Sequence, residues 1–303
     1  MTEKNVTRLA RVRRCAIVMV ALAAPIAMFG SASSALAAEH HPTGNFAIFK
    51  DCPLGNSATY DCVYAQTESG EFIVGKETVP IKNTITLQGG IHINESTGEE
   101  SFIGAENGET LSKTPQPVPG GLAGLVKCNE ISNFLERIAC ELVFENGVTG
   151  VNATTELAAP ASSIGISTSN LLDEEGTALS LPVKVHLENP FLGSSCYIGS
   201  NSKPISLPLP TGETSPPSPN KPIHGSKGEL EIKEGPVFVF KNNELVNNSF
   251  AAPGAEGCGG LLSFLIDPIV NSKLGIPAAA GHNTAKLKGT LSTASAEDTK
   301  KSE

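Results

Sequence analysis

The ten residues Leu179-Ser180-Leu181-Pro182-Val183-Lys184-Val185-His186-Leu187-Glu188 alternate apolar and polar side chains with period two. In an extended chain this puts the two leucine-valine pairs and Leu187 on one face, with Ser180, Lys184, His186 and Glu188 on the other. A helix would scatter the same five apolar residues around its circumference. The pattern recurs in Val79, Ile81, Ile85 and Leu87, and again in Ala285, Leu287, Gly289 and Leu291. Val151 to Leu157 reads as a further strand of small residues. Pro80 and Pro182 have no amide hydrogen to give a ladder, so an edge position or a bulge is expected at each. One-sided alternation belongs to antiparallel sheets with one face packed. The expectation is a mainly β protein, an antiparallel β-sandwich or a barrel-like fold.

Helical periodicity is confined to two places. Ile131, Phe134, Leu135, Ile138 and Leu142 share one face of a helix of about three turns. Asp267 as N-cap, Pro268 in the first turn and Gly275 as terminator frame a shorter helix. The chain therefore reads as two pseudo-repeated halves, 44–160 and 161–293, each with one short helix. Four pairs of segments recur in the same order. Val79-Pro80-Ile81-Lys82 matches Leu181-Pro182-Val183-Lys184, and Asn107-Gly108-Glu109 matches Asn242-Asn243-Glu244. Pro119-Gly120-Gly121-Leu122 matches the Gly259-Gly260-Leu261 segment, and Asn129-Glu130-Ile131 matches Asp267-Pro268-Ile269. The second half is longer by a proline-rich insertion at 204–222, where extended polyproline conformation is expected. Residues 294–303 are polar and charged and read as a disordered tail.

Residues 1–37 have the layout of a signal peptide. Arg8, Arg11, Arg13 and Arg14 precede an apolar run from Cys15 to Phe29, and Ala35-Leu36-Ala37 supplies a small-residue cleavage site. The run is shorter than the ~20 residues that span a bilayer. Cleavage after Ala37 would remove Lys4, the four arginines and Glu3, leaving 17 basic against 30 acidic residues, a formal charge of −13. So acidic a product has no face for a phosphate backbone, and nucleic acid is excluded as a partner. No later stretch is long and apolar enough to span a membrane as a helix.

Export also explains the cysteines. With Cys15 removed, Cys52, Cys62, Cys128, Cys140, Cys196 and Cys258 form an even set bound for an oxidising compartment, so three disulfides are expected. Cys52 and Cys62 bracket a short Pro/Gly/Asn loop and pair most simply with each other. Cys196 and Cys258 would tie a strand to a helix across the insertion, and Cys128 and Cys140 follow by elimination. Twelve residues of continuous helix span ~18 Å, beyond the ~7 Å reach of a disulfide, so the last pair requires the helix to start at Ser132. No C-x-x-C spacing points to zinc.

The search for chemistry is mostly empty. G-x-S-x-G, phosphate-loop and H-E-x-x-H patterns are absent. His40, His41, His92, His186, His224 and His282 are scattered, and His186 falls on the polar face of its strand. The acidic stretches Asn94 to Glu100 and Asp173-Glu174-Glu175 lack the spaced oxygen ligands of a calcium loop. Cleavage after Ala37 would place His40 third in the chain, the arrangement of a square-planar Cu(II) or Ni(II) site. No catalytic residue, cofactor or structural metal is otherwise indicated. Three tyrosines and no tryptophan leave few aromatic platforms for sugars or bases.

Phe46-Ala47-Ile48-Phe49-Lys50-Asp51-Cys52-Pro53 and Asn189-Pro190-Phe191-Leu192-Gly193 resemble recurrent motifs of an uncharacterised family of secreted bacterial proteins. The resemblance runs along most of the mature chain and implies a bacterial, exported protein; it carries no activity. The reading is thus a secreted, disulfide-stabilised, non-catalytic protein of the cell envelope or extracellular space, with a structural or interaction role and an envelope or extracellular macromolecule as partner. The alternative is an extracellular carrier with an apolar pocket between the halves for a small ligand of unspecified identity. An exported hydrolase with dispersed residues ranks third.

Overall fold

The computed structural model describes residues 40–121, 132–135, 137–138 and 150–303. The signal segment, Cys128 and Cys140, and most of the helix expected at 131–142 lie outside them; residues 134, 135, 137 and 138 are helical, with Phe134, Leu135 and Ile138 exposed. Fourteen strands carry the fold among the described residues. They are β1 (Asp61–Val74), β2 (Glu77–Pro80), β3 (Ile85–Ile93), β4 (Glu100–Gly104), β5 (Gln116–Pro117), β6 (Asn152–Leu157) and β7 (Gly165–Ile166). The rest are β8 (Leu179–Glu188), β9 (Tyr197–Ile198), β10 (Ile205–Leu209), β11 (Glu229–Lys233), β12 (Val237–Asn247), β13 (Ala255–Glu256) and β14 (Thr284–Ser295). The α-helices among the described residues with full bounds are α1 (Thr168–Asp173), α2 (Ser263–Leu274) and α3 (Ala296–Lys301).

All pairings between these strands are antiparallel, and they form two sheets. The first runs β11-β12-β14-β1-β3-β4, with β2 folded back on β1; the second runs β13-β9-β8-β6-β5, with β10 and β7 also on β8. Neither closes into a barrel, and the arrangement is sandwich-like. Phe102, Leu87 and Leu287 of the first sheet pack with Leu181, Val183 and Leu207 of the second in one core. On the outer face of the first sheet, Phe46 and Phe49 cover Val237, Val239 and Ala294.

Residues before and after 160 contribute strands to both sheets, so the halves are interleaved rather than stacked. The segments matched between the halves fall on different elements. Val79-Pro80 ends a short hairpin strand, whereas Leu181-Pro182-Val183 lies inside β8. Asn107-Gly108 is a turn, whereas Asn242 bulges within β12. The shared order is thus one of turn and strand chemistry, which any β-rich chain repeats.

Other expectations shift for local reasons. Pro182 sits in a central strand, not at an edge, but β6 ends opposite Val183, and the Pro182 carbonyl accepts from Ala158 just beyond. In antiparallel geometry its missing N–H would point the same way, past the end of that ladder. The proline-rich insertion begins as strand β10, with Ile205, Leu207 and Leu209 buried; its Pro208 lies on a sheet edge, where the lost donor costs little. Helix α2 starts before Asp267, whose carboxylate instead accepts from the backbone N–H of Gly257 and Cys258 at 3.1 and 2.7 Å. Gly275 ends that helix in the left-handed conformation, as read.

The tail is ordered. Ser295 caps α3 by accepting from the Asp298 amide at 3.0 Å, Glu297 and Asp298 lie at the positive end of the helix, and Lys300 and Lys301 at the negative end. Thr299 is fully buried, and Ser302 is hydrogen-bonded to Thr43 at the other end of the described chain. Polar composition signals disorder only when no cap and no anchoring contact exist.

Candidate functional site

The first sheet is creased. β1 bulges between Thr67 and Ser69, and β12 bulges between Lys241 and Asn243; both Thr67 and Asn243 lie opposite Gly289 of the intervening β14. Only glycine fits there, because a Cβ on Gly289 would lie 1.7 Å from the Gln66 carbonyl oxygen. Bulges bend strands and increase their twist, and two in line across three strands bend the sheet along that line.

An apolar cavity of about 110 Å³ lies against the crease, between the sheets. Gln66, Thr67, Asn243 and Thr290 line it from the crease itself, with Leu181, Val183 and Leu207 opposite. A second cavity, of about 70 Å³, adjoins it; Phe72, Thr155, Val183 and Leu207 line both. The cause is the size of the inward side chains. At the centre of the first sheet Ala65, Thr67, Gly289 and Thr293 stand on the inner face, where Leu and Ile stand elsewhere. The larger side chains facing them, Leu181, Val183 and Leu207, leave this space unfilled.

The electrostatics select uncharged contents. No charged side chain lines the larger cavity. An ion there would lose its hydration without compensation. Glu77 stands at the margin of the smaller one, its pKa raised chiefly by burial and opposed by nearby Lys273. The Asn243 side-chain amide is spent on the Phe240 carbonyl at 3.1 Å. Protein interiors hold few voids larger than a water molecule. By the relation for engineered cavities, an empty volume of this size costs about 2.5 kcal/mol.

No family model, curated protein or solved structure matches this chain. Its function must therefore be argued from its own residues.

Cys52 is bonded to Cys62 and Cys196 to Cys258, with all four residues at most 2% exposed. These cysteines brace the sandwich ends and do not touch the cavity. The imidazoles are engaged elsewhere: Nδ1 of His92 is 2.9 Å from the Ala58 carbonyl oxygen, and Nδ1 of His224 is 2.6 Å from that of Gly225. His186 stacks on Tyr197 with ring centroids 4.5 Å apart, beside Glu188 at 3.5 Å, and Lys184 lies 4.7 Å over the same tyrosine ring. His40 is mostly buried and its Nδ1 lies 2.6 Å from a Glu303 carboxylate oxygen. That nitrogen is the one a position-three copper site would need. Asn94 to Glu99 close a hairpin turn through Asn94 Oδ1, and Glu174 accepts from the Lys227 amide at 2.8 Å. Among the described residues no group of three metal-ligating side chains converges, and no helix is long and apolar enough to cross a membrane.

The sequence reading placed Gly289 on a strand and named Asn243, but assigned no crease residue to a site. The available signal was the small residues Ala65 and Thr67 of β1 beside Gly289 and Thr293 of β14 on one face, which mark volume left unfilled once the strand pairing is known.

Asp61, at the start of β1, has its pKa pushed up to about 6 by burial first and then by the negative charge of Glu100. The folded state therefore binds this proton more tightly than the unfolded chain does. Its contribution to stability is complete below about pH 4 and is lost as pH rises through about 6. Asp61→Asn is expected to raise stability at pH 7 by about 1 kcal/mol, after allowance for solvent screening of a half-buried group. Thermal unfolding of both proteins from pH 4 to 8 checks this; a difference that does not grow with pH removes the carboxylate as its cause.

Proposed function

We propose that this is an exported bacterial protein that acts by binding rather than by catalysis, and that it carries a small uncharged apolar molecule in the cavity between its sheets. The observation that carries the reading is the pair of adjoining apolar volumes at the crease. A dry apolar cavity of ~150 Å³ takes up benzene or xenon in other proteins, so the contents would be of that order of size. The signal-like segment, the even set of mature cysteines and two buried disulfides support the exported part of the reading. The antiparallel framework on both sides gives the pocket walls built of paired strands, which lowers the ordering cost of binding.

Xenon and benzene are the probes. Xenon NMR on the oxidised protein is expected to show a bound or exchange-shifted signal, and benzene is expected to raise the unfolding temperature. Ala65→Leu would fill the larger cavity, and should abolish both effects while leaving the fold intact. Native mass spectrometry of protein taken from its own secretion would reveal any small molecule retained there. A wild-type protein that takes up neither probe and carries no adduct would remove the cavity from the reading and leave a stapled envelope scaffold.

A further inference from the structure

Strand β11, Glu229-Leu230-Glu231-Ile232-Lys233, is the last strand of the first sheet, paired with β12 on one side and, among the described residues, with no strand on the other. Its even residues continue the inner face of the sheet past the end of the second sheet. Leu230 is 52% and Ile232 60% exposed, and Phe238, opposite Ile232 on β12, is 38% exposed. Next along, Phe240 is buried against Leu171 and Ala178, so the apolar face is covered up to β12 and bare beyond it. Proteins ordinarily blunt such edges with charge or cover them.

The charges on β11 are arranged for one particular neighbour. We propose that β11 pairs antiparallel with β11 of a second copy of this chain, about a twofold axis at Glu231. In that register Glu229 faces Lys233 of the other copy, twice, and Leu230 faces Ile232, twice. Glu231 meets its counterpart, but each is already neutralised by an ion pair with its own Lys241. The polar face of the junction is thus balanced, and the apolar face joins two Leu-Ile-Phe clusters. A parallel in-register pairing sets every charge against its own kind. An antiparallel register shifted by two residues sets either Glu229 against Glu231 and Lys227 against Lys233, or Leu230 against Glu234. A shift by one residue turns Leu230 and Ile232 to the polar face. An isologous contact of this kind closes as a dimer and goes no further. This inference stands on the sheet edge alone and is independent of the cavity.

The test is sedimentation of the oxidised, mature chain over a range of concentrations. A monomer–dimer equilibrium is expected. Glu229→Lys and Lys233→Glu, each alone, place like charges opposite one another at two symmetric positions and should weaken the dimer by about tenfold or more. The combined exchange, Glu229→Lys with Lys233→Glu, restores both pairs and should recover the wild-type constant to within about threefold. Ile232→Asp should leave only monomer, with an unchanged circular dichroism spectrum. A wild-type chain that stays monomeric overturns the proposal. So does a dimer indifferent to Glu229→Lys, or a combined exchange as weak as the single ones.

Discussion

Replacing Cys196 and Cys258 together by alanine is expected to cost about 4 kcal/mol, against about 3 kcal/mol for the same change at Cys52 and Cys62. The difference comes from the chain enclosed. The first bridge closes a separation of 62 residues and the second one of 10, and the entropy removed from the unfolded chain grows with the logarithm of that number. The native surroundings of the longer bridge are fixed by independent contacts. The Leu187 amide donates to the Cys196 carbonyl at 2.8 Å, the Asp267 carboxylate holds the Cys258 amide, and the Gly259 amide donates to the Leu192 carbonyl at 2.7 Å. Neither sulfur is exposed, so the alanine pair also leaves a small void. Urea unfolding of the two double variants should rank them in this order. Equal losses, or the reverse order, would show that native contacts around Cys52–Cys62, including Phe46 and Phe49, outweigh loop closure.

The strands that alternate cleanly were readable because one face of each meets the core and the other meets water. β8 was found whole, and the inward residues of β14 were found as far as Leu291. The longest strand was not. β1 contains Thr67-Glu68-Ser69-Gly70, which has the composition of a turn, and is held extended by β14, which pairs with it on both sides of the bulge. β12 was hidden in the same way by Asn242-Asn243, where Asn242 takes the left-handed conformation at the bulge opposite β14. Both failures fall on the crease that shapes the cavity. Local propensity there favours a turn, and the long-range ladder overrides it. The candidate site was illegible for the same reason, since its volume depends on which small residues face each other across the sandwich. The tail failed differently: Ser295 and Asp298 form a capping pair that composition alone conceals.

Asn283→Leu, a change that keeps the branched shape of the side chain and removes its polar atoms, is expected to destabilise the protein by about 4 kcal/mol. Asn283 is fully buried and joins three parts of the chain. Its Oδ1 accepts from the Gly75 amide at 2.9 Å, in the turn between β1 and β2. Its Nδ2 donates to the Phe250 carbonyl at 2.9 Å and to that of Ala279 at 3.2 Å. The turn at Gly75 has no room to move in compensation: a Cβ there would lie 2.2 Å from the Leu274 carbonyl oxygen, which already accepts from Lys76 at 2.8 Å. Leucine would thus take the side-chain partner from the Gly75 amide and the Phe250 carbonyl, each at a cost of about 1 to 3 kcal/mol, while the Ala279 carbonyl keeps the His282 amide at 3.3 Å. The damage should stay local to the end of the sandwich where α2 meets the β1–β2 turn. Hydrogen exchange would then show the Gly75 and Lys76 amides losing protection while those of β8 keep theirs, up to the limit set by global unfolding. A Leu variant within 1 kcal/mol of wild type in urea would mean that the freed groups find other partners, and that the turn is held by its backbone alone.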